Sequence, residues 1–264
     1  MEAAEERIAM ERDRRRSVSL RARRRSRAGS PNSDTGIVLL TKRLLHLRTA
    51  AASTPLLYGA AYNVYVRAVR LALAEKGVDY QLIEVELNNE EGAPANYLHH
   101  ANFMRIPAFE HAGERLYEAS AITRYIDEAF DGPPLMPATP RERARVNQII
   151  SIIENYGYRP MVWSIFIERC RAAVAGRMAD EDKIAAAVPQ VAYALDALEE
   201  MTVGPHLIGE ALTLADLHLA AMLAYGTLAP EGATLVEARP RLQRWWAEMK
   251  QRPSMRETRS PLEE

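Results

Sequence analysis

Cysteine is nearly absent from this chain: Cys170 is the only one in 264 residues. A lone thiol excludes an internal disulfide, and nothing around it has a metal-ligand spacing, so a reducing, cytoplasmic setting and no metal are expected. Long apolar runs are also missing. The longest apolar window, residues 211 to 229, carries Asp216 and His218 and is bounded by Thr213 and Pro230, which argues against a membrane span. A strong overall charge is missing too, the formal net being −1, but that balance hides an asymmetry. Residues 1–54 hold 13 Lys/Arg against 6 Asp/Glu, a net of +7, leaving −8 for residues 55–264. No aromatic residue lies among these arginines, so the stacking that single-stranded nucleic acid requires has no source. The acidic opening "MEAAEER" is unlike a transit peptide, and no clean apolar stretch marks a secretory signal.

What is there suits a folded core. At 48% hydrophobic and 26% charged, the chain can bury substantial surface, whereas the Arg/Ser-rich "RRRSVSLRARRRSRAGSPNSDTG" cannot offset its chain entropy and is expected to be disordered. Order begins near Pro55. "LLYG" reads as a short apolar strand ending in glycine. Val66, Val69 and Leu73 then place an apolar stripe on a helix whose other face carries Arg67, Arg70, Glu75 and Lys76. Asn63 stands where that helix starts, and Gly77 ends it. In "QLIEVEL", Ile83, Val85 and Leu87 alternate with Glu84 and Glu86, the period of a half-buried strand. Such a βαβ unit is right-handed and parallel, which sets the Asn63 loop at the carboxyl end of the sheet, where ligands bind.

"RIPAFEHAGERLYEASAITRYIDEAF" predicts a strand at 106–110, a turn at Ala112 and Gly113, a short strand at Leu116 and Tyr117, and a helix over 119–130. Pro107 is tolerable only at an edge or a first strand position, where a cis peptide is one geometry that fits. After the linker "DGPPLMPATP" everything reads helical. Val146, Ile149, Ile150 and Ile153 lie on a long helix that Gly157 and Pro160 should bend, and further helices are expected at 180–201, 213–227 and 239–251. Thr213 with Asp216 forms a capping box, and Leu212 can staple it. Trp245 and Trp246 point about 100° apart, so at least one belongs to the core. The expected organisation is a basic extension (1–54), a βαβ-ββα domain (55–131), a linker (132–139), an all-α domain (140–255) and a tail (256–264).

The order βαβ, "RIP", hairpin and "LYEASAITRYID" resembles the amino-terminal, thioredoxin-like domain of cytosolic glutathione transferases. "HLIGEALTLADLHLAAML" resembles the signature of their helical-bundle carboxyl-terminal domain. The resemblance covers roughly residues 55–255. It implies an α/β plus all-α fold, glutathione as co-substrate, twofold homodimers, and addition or substitution by a glutathione thiolate at a small electrophilic carbon. A free thiol with a pKa near 8.5 is only about 3% ionised at pH 7. Lowering that pKa by about two units takes roughly 2.7 kcal/mol, which a helix amino terminus and one hydrogen-bond donor can supply.

The family's residues carry over with two departures. Asn63 occupies the position of a catalytic serine. Its amide can donate to a thiolate or simply cap the helix, and Tyr58, at the end of the first strand, is the rival donor. Glu118 is in place for the γ-glutamyl ammonium, but Ala119 keeps only the N–H of the family's Ser or Thr. The missing hydrogen bond to a charged group is worth about 1.5–3 kcal/mol; Ser120 compensates only if the helix start shifts by one. Ile106, before Pro107, should pair with the cysteinyl part, and Arg105 or His100 with the glycyl carboxylate. "ENYGYRPMVWSIF" supplies Tyr156, Tyr158, Met161, Trp163 and Phe166, of which Tyr156, Trp163 and Phe166 are the acceptor-pocket candidates. The same scaffold also fits glutathione-dependent isomerisation or peroxide reduction, or a catalytically weakened interaction module.

Overall fold

The computed structural model describes residues 54–85, 87, 97 and 103–263. His100 and the basic segment 1–53, with the disorder expected of it, lie outside the described residues. Strand β1 (Leu56–Tyr58) leads through helix α1 (Val64–Lys76) to β2 (Gln81–Ile83), which pairs with β1 in parallel, Leu56 opposite Gln81 and Tyr58 opposite Ile83. On its other side β1 pairs antiparallel with β3 (Ala108–His111), itself antiparallel to β4 (Glu114–Tyr117), so the sheet order is β2-β1-β3-β4. The hairpin turns at Ala112 and Gly113, whose φ values of 52° and 85° suit a tight primed turn. The Ile106–Pro107 bond is cis, and the strand begins one residue later, at Ala108.

β2 is shorter than its alternation predicts, stopping at Ile83 rather than Leu87, because its partner β1 is only three residues long. β1 ends where Gly59, at φ 156°, turns toward α1, and a Cβ there would collide with Val66 Cγ2.

Helix α2 (Ala119–Ala129) closes the first half. The second half opens with α3 (Pro140–Ile152), which runs on through π-helical turns at Ile153–Gly157 and Arg159–Phe166 into α4 (Ile167–Val174). Gly157 and Pro160 fall inside these turns. A proline has no N–H to close an i→i−4 bond, and here the helix widens rather than ending. Then come α5 (Glu181–Met201), α6 (Leu214–Gly226), α7 (Pro230–Glu237), α8 (Pro240–Met249), α9 (Pro253–Glu257) and a 3₁₀ turn at Pro261–Glu263. α7 is not anticipated by the sequence reading, which takes Pro230 as a boundary; Pro230 is instead the first residue of a helix, a position that needs no N–H.

Every residue of α6 is buried, which makes it the central helix of the bundle, and α1 packs against both α6 and α2. Asp216 lies on α6 with no exposure. Its carboxylate accepts the Leu207 N–H (2.9 Å), the Thr213 N–H (2.8 Å), the Thr213 hydroxyl (2.7 Å) and Trp245 Nε1 (2.8 Å). A buried charge of this kind is tolerable only when its lone pairs are so occupied. Trp245 and Trp246 are both buried, their rings 6.2 Å apart.

The solvent face expected for α1 is corrected: Arg67 and Lys76 are buried. The end of the chain covers them. Arg67 pairs with Glu263 and donates to the Met255 carbonyl (3.1 Å). Arg70 donates to the Thr258 carbonyl (3.1 Å) and the Tyr80 hydroxyl (2.9 Å), while Glu75 accepts two 2.8 Å bonds from Arg252. Lys76 Nζ donates to the carbonyls of Asp127 (3.1 Å) and Pro133 (3.2 Å). Residues 256–263, expected as a tail, are therefore part of a strap across α1. No described helix is long and apolar enough to cross a membrane.

Replacing Asp216 by Ala strands buried N–H groups on three segments, and the unfolding free energy is expected to fall by about 3 kcal/mol or more. Urea denaturation checks this; a loss below about 1 kcal/mol would show the carboxylate to be dispensable.

Candidate active site

Asn63 begins the site. Its backbone is extended (φ −80°, ψ 134°), and its Oδ1 accepts the N–H groups of Tyr65 (2.9 Å) and Val66 (3.1 Å), the geometry of a helix cap. With the carbonyl oxygen so engaged, Nδ2 keeps its donors, which have no partner among the described residues. The Asn63 N–H goes to the Ala60 carbonyl (2.9 Å), so the Val64 N–H is the first-turn donor left over.

Beside this helix start lies a cavity of about 210 Å³, which Tyr65 of the first turn lines and Asn63 borders without lining. It is lined by Arg105, Ile106 and Pro107, by Tyr117, Glu118 and Ala119, by Tyr65 and Phe103, and by Glu154 and Asn155 of the π-helical turn. Five of the six residues expected to hold glutathione thus meet around one space, and the sixth, His100, lies outside the described residues. Tyr97, buried, donates its hydroxyl to the Arg105 carbonyl (2.6 Å) and so fixes the approach to Ile106.

Glu118 precedes α2 at φ 69°, a left-handed conformation that costs a residue with a Cβ on the order of 1–3 kcal/mol. Its carboxylate makes no capping bond, so it does not compete for the N–H groups of its own helix. The helix begins at Ala119 with Glu118 as its N-cap, so its start is not shifted by one and the Ser120 hydroxyl does not take the place of the one missing at Ala119. Burial is the largest influence on Glu154 and raises its pKa; the Ser120 hydrogen bond opposes this and the nearby Glu118 charge adds to it. Behind Glu154 sits His218, whose Nδ1 is 3.8 Å from Glu154 Oε1 and whose Nε2 is 3.1 Å from Thr123 Oγ1. His218 is wholly buried, and desolvation, with Arg124 nearby, holds its pKa down at about 3.

The remaining candidates separate. Tyr58 does not line the cavity: strand alternation turns it away from Leu57, into a cluster with Val85, Tyr97 and Ala108. Phe166 is corrected to a core residue, 5% exposed with its ring 5.7 Å from Tyr225. Tyr156 is 64% exposed and lines a separate groove with Pro160, Pro189 and Tyr193. Trp163 is partly exposed and donates Nε1 to the Tyr158 hydroxyl (3.0 Å), and the Tyr158 ring lies 4.4 Å from that of Tyr65. Tyr158, rather than Tyr156, is therefore the residue of this helix that meets α1. Burial raises the pKa of both Tyr65 and Tyr158, so both rings present neutral hydroxyls. Phe103, Tyr117, Glu154 and Asn155 were not singled out from the sequence. Only Glu154 carried a signal, a lone charge in the apolar run "IISIIENYGY".

A four-stranded α/β sheet domain joined to a helical bundle, with a cavity beside the first helix, defines the class of two-domain proteins built on a thioredoxin-like unit. The family models for the glutathione S-transferase N-terminal and C-terminal domains match residues 54–128 and 149–253. Glutathione S-transferase F10 of Arabidopsis thaliana is 30% identical over 205 residues, covering 76% of this chain and 94% of its own. Glutathione S-transferase 3 of Zea mays is 28% identical, covering 76% and 91%. The crystal structure of glutathione transferase F7 from Populus trichocarpa superposes with a TM-score of 0.68 at 29% identity, over 78% of this chain and 97% of that one. The chain belongs to the glutathione S-transferase family.

His218 also carries a pH dependence. Its folded pKa lies below the unfolded value of 6.5, so the unfolded state takes up the proton, and stability falls as pH drops from about 6.5 toward about 3. One such group contributes a slope of about 1.4 kcal/mol per pH unit. Urea denaturation between about pH 6 and pH 4 should show His218→Gln flatter than the parent by about that slope; parallel curves would assign the acid sensitivity elsewhere.

Proposed function

We propose that this glutathione transferase binds glutathione in the cavity beside α1 and holds its thiolate at the α1 amino terminus, where Asn63 Nδ2 and the Val64 N–H supply hydrogen bonds. The observation that carries this reading is the divided use of Asn63: its oxygen caps the helix while its NH₂ group remains available. The macrodipole and an unpaired N–H favour the thiolate over the thiol, and a neutral amide donor adds to that preference without needing to lose a proton. The γ-glutamyl end lies toward Glu118 and the Ala119 N–H, the cysteinyl backbone along Ile106, and the glycyl carboxylate toward Arg105. The thiolate attacks an electrophilic carbon and forms a carbon–sulfur bond as the leaving group departs or the adjacent bond takes up the electron pair. The acceptor rests against Tyr65, Tyr158 and Trp163, an aromatic wall suited to an apolar electrophile.

The lone thiol Cys170 is in keeping with a cytoplasmic protein, and homodimerisation is in keeping with the exposed apolar side chains of Phe103 (64%) and Met104 (42%). A weakened module is favoured by one observation, the missing hydroxyl at Ala119, and the same assay separates it from an enzyme.

Asn63→Asp distinguishes capping from catalysis. Aspartate caps a helix as well as asparagine but has no N–H to give, and it sets a negative charge beside the sulfur. Unfolding stability should change by less than about 1 kcal/mol, while kcat/KM for an aromatic halide falls by at least about tenfold and the thiolate absorbance of bound glutathione moves to higher pH. Unchanged kcat/KM would leave Asn63 as a cap only; no conjugation by the parent would favour the module.

A further inference from the structure

The aromatic wall runs on from the cavity and ends at a cation. Tyr65 lines the cavity, its ring lies 4.4 Å from that of Tyr158, the Tyr158 hydroxyl accepts from Trp163 Nε1 (3.0 Å), and Arg171 Cζ lies 6.0 Å from the Trp163 ring. In a regular α-helix the eight residues from Trp163 to Arg171 make two turns and about 80° more. The wider π-helical turns, which continue to Phe166 before α4 begins, turn less per residue and so bring the guanidinium back over the indole.

Arg171 differs from its neighbours in what it pairs with. Four cations lie between Ile167 and Lys183. Arg169 is held by Glu181 and Glu231, and both Arg177 and Lys183 are held by Glu168. Arg171 has no carboxylate partner among the described residues, and the open groove that it also lines, with Cys170, Val174, Ala175 and Arg177, brings none to it. A guanidinium laid over a ring keeps its in-plane N–H donors, which match a carboxylate two at a time. Trp163 is 39% exposed, so ring and cation are together open to a ligand that lies along the wall.

We propose, resting on the conjugation reading above, that Arg171 sets acceptor specificity: it receives an acidic group at the far end of an electrophile whose apolar, reactive end lies at Tyr65. The preferred class is then an unsaturated or aryl electrophile that carries a carboxylate, rather than a wholly apolar one. The cation also acts before contact, because an exposed guanidinium draws anions toward the wall and salt weakens that pull.

The test uses the full chain at saturating glutathione with two acceptors, para-carboxymethoxyphenyl vinyl ketone and its methyl ester. The glutathione thiolate adds to either at the β-carbon and water returns a proton to the α-carbon, so the two differ only in the distant charge. Each rate is taken relative to the uncatalysed addition. The parent should prefer the acid, and added salt should shrink that preference. Arg171→Gln should reduce the acid-to-ester ratio of kcat/KM by roughly tenfold, the worth of one charge-assisted hydrogen bond, through a higher KM for the acid far more than a lower kcat. Arg171→Lys, which keeps the charge but not the planar fork, should fall between the two. Equal weakening toward acid and ester, no change in either, or a parent without preference overturns the inference and leaves the glutathione reading standing, as does a parent that conjugates an aromatic halide but not the acid. A parent that conjugates none of the three overturns both readings.

Discussion

The charges buried around α1 are the constraint on which the rest of the structure depends. A helix carrying Arg67, Arg70, Glu75 and Lys76 would ordinarily keep one side in water, but here α6 and α2 pack on it and the segment 252–263 crosses the remaining face. Each charge has a specific partner, and leaving the buried Arg67 or Lys76 unpaired would cost several kcal/mol. The helix is thereby held in one rotation and one axial position, and the Asn63 loop at its start inherits that placement. Arg70 makes the connection directly, since its Nη1 reaches both the Thr258 carbonyl (3.1 Å) and, at 3.4 Å, the Ala61 carbonyl two residues before Asn63.

This arrangement bears on how an amide can serve where a hydroxyl is commonly used. A serine hydroxyl is one rotating group, and if it caps the helix it has less to offer a ligand. Asparagine divides the roles between two atoms on a rigid plane, with the oxygen bonded to the helix and the nitrogen keeping its donors. The orientation of that plane is set by α1, so the electrostatics of the site depend on the burial of charges more than one helical turn away. Glu118 shows the same dependence in another form: its left-handed backbone is sustained by α2 on one side and β4 on the other.

Much of this was legible in the residues. Asn63 and Gly77 bound α1, Thr213 and Asp216 start α6, and Ala112 with Gly113 turns the hairpin, because caps and turns are decided within a few residues. The meeting of Ile106, Pro107, Glu118 and Ala119 could be anticipated from the resemblance to a family. The features that escaped depend on distant parts of the chain. Arg67 reads as a surface residue until Glu263 and Met255 are brought to it, and Phe166 reads as pocket lining until Tyr225 is placed beside it. Glu154 turns toward the cavity and Tyr158 toward Tyr65 through a π-helical register that no 3.6-residue period describes.

The three tryptophans divide between environments in a way that has an optical consequence. Trp245 and Trp246 are stacked in the bundle, one of them hydrogen-bonded to the carboxylate that anchors α6, whereas Trp163 stands partly in solvent with Tyr158 on one side and Arg171 on the other, 6.0 Å from its ring. The intrinsic emission of the protein is therefore the sum of a buried pair that reports on whether the bundle is intact and a single outlying indole that reports on what occupies the aromatic wall. Solvent quenchers reach the second before the first, so the two signals can be read separately from one unlabelled sample.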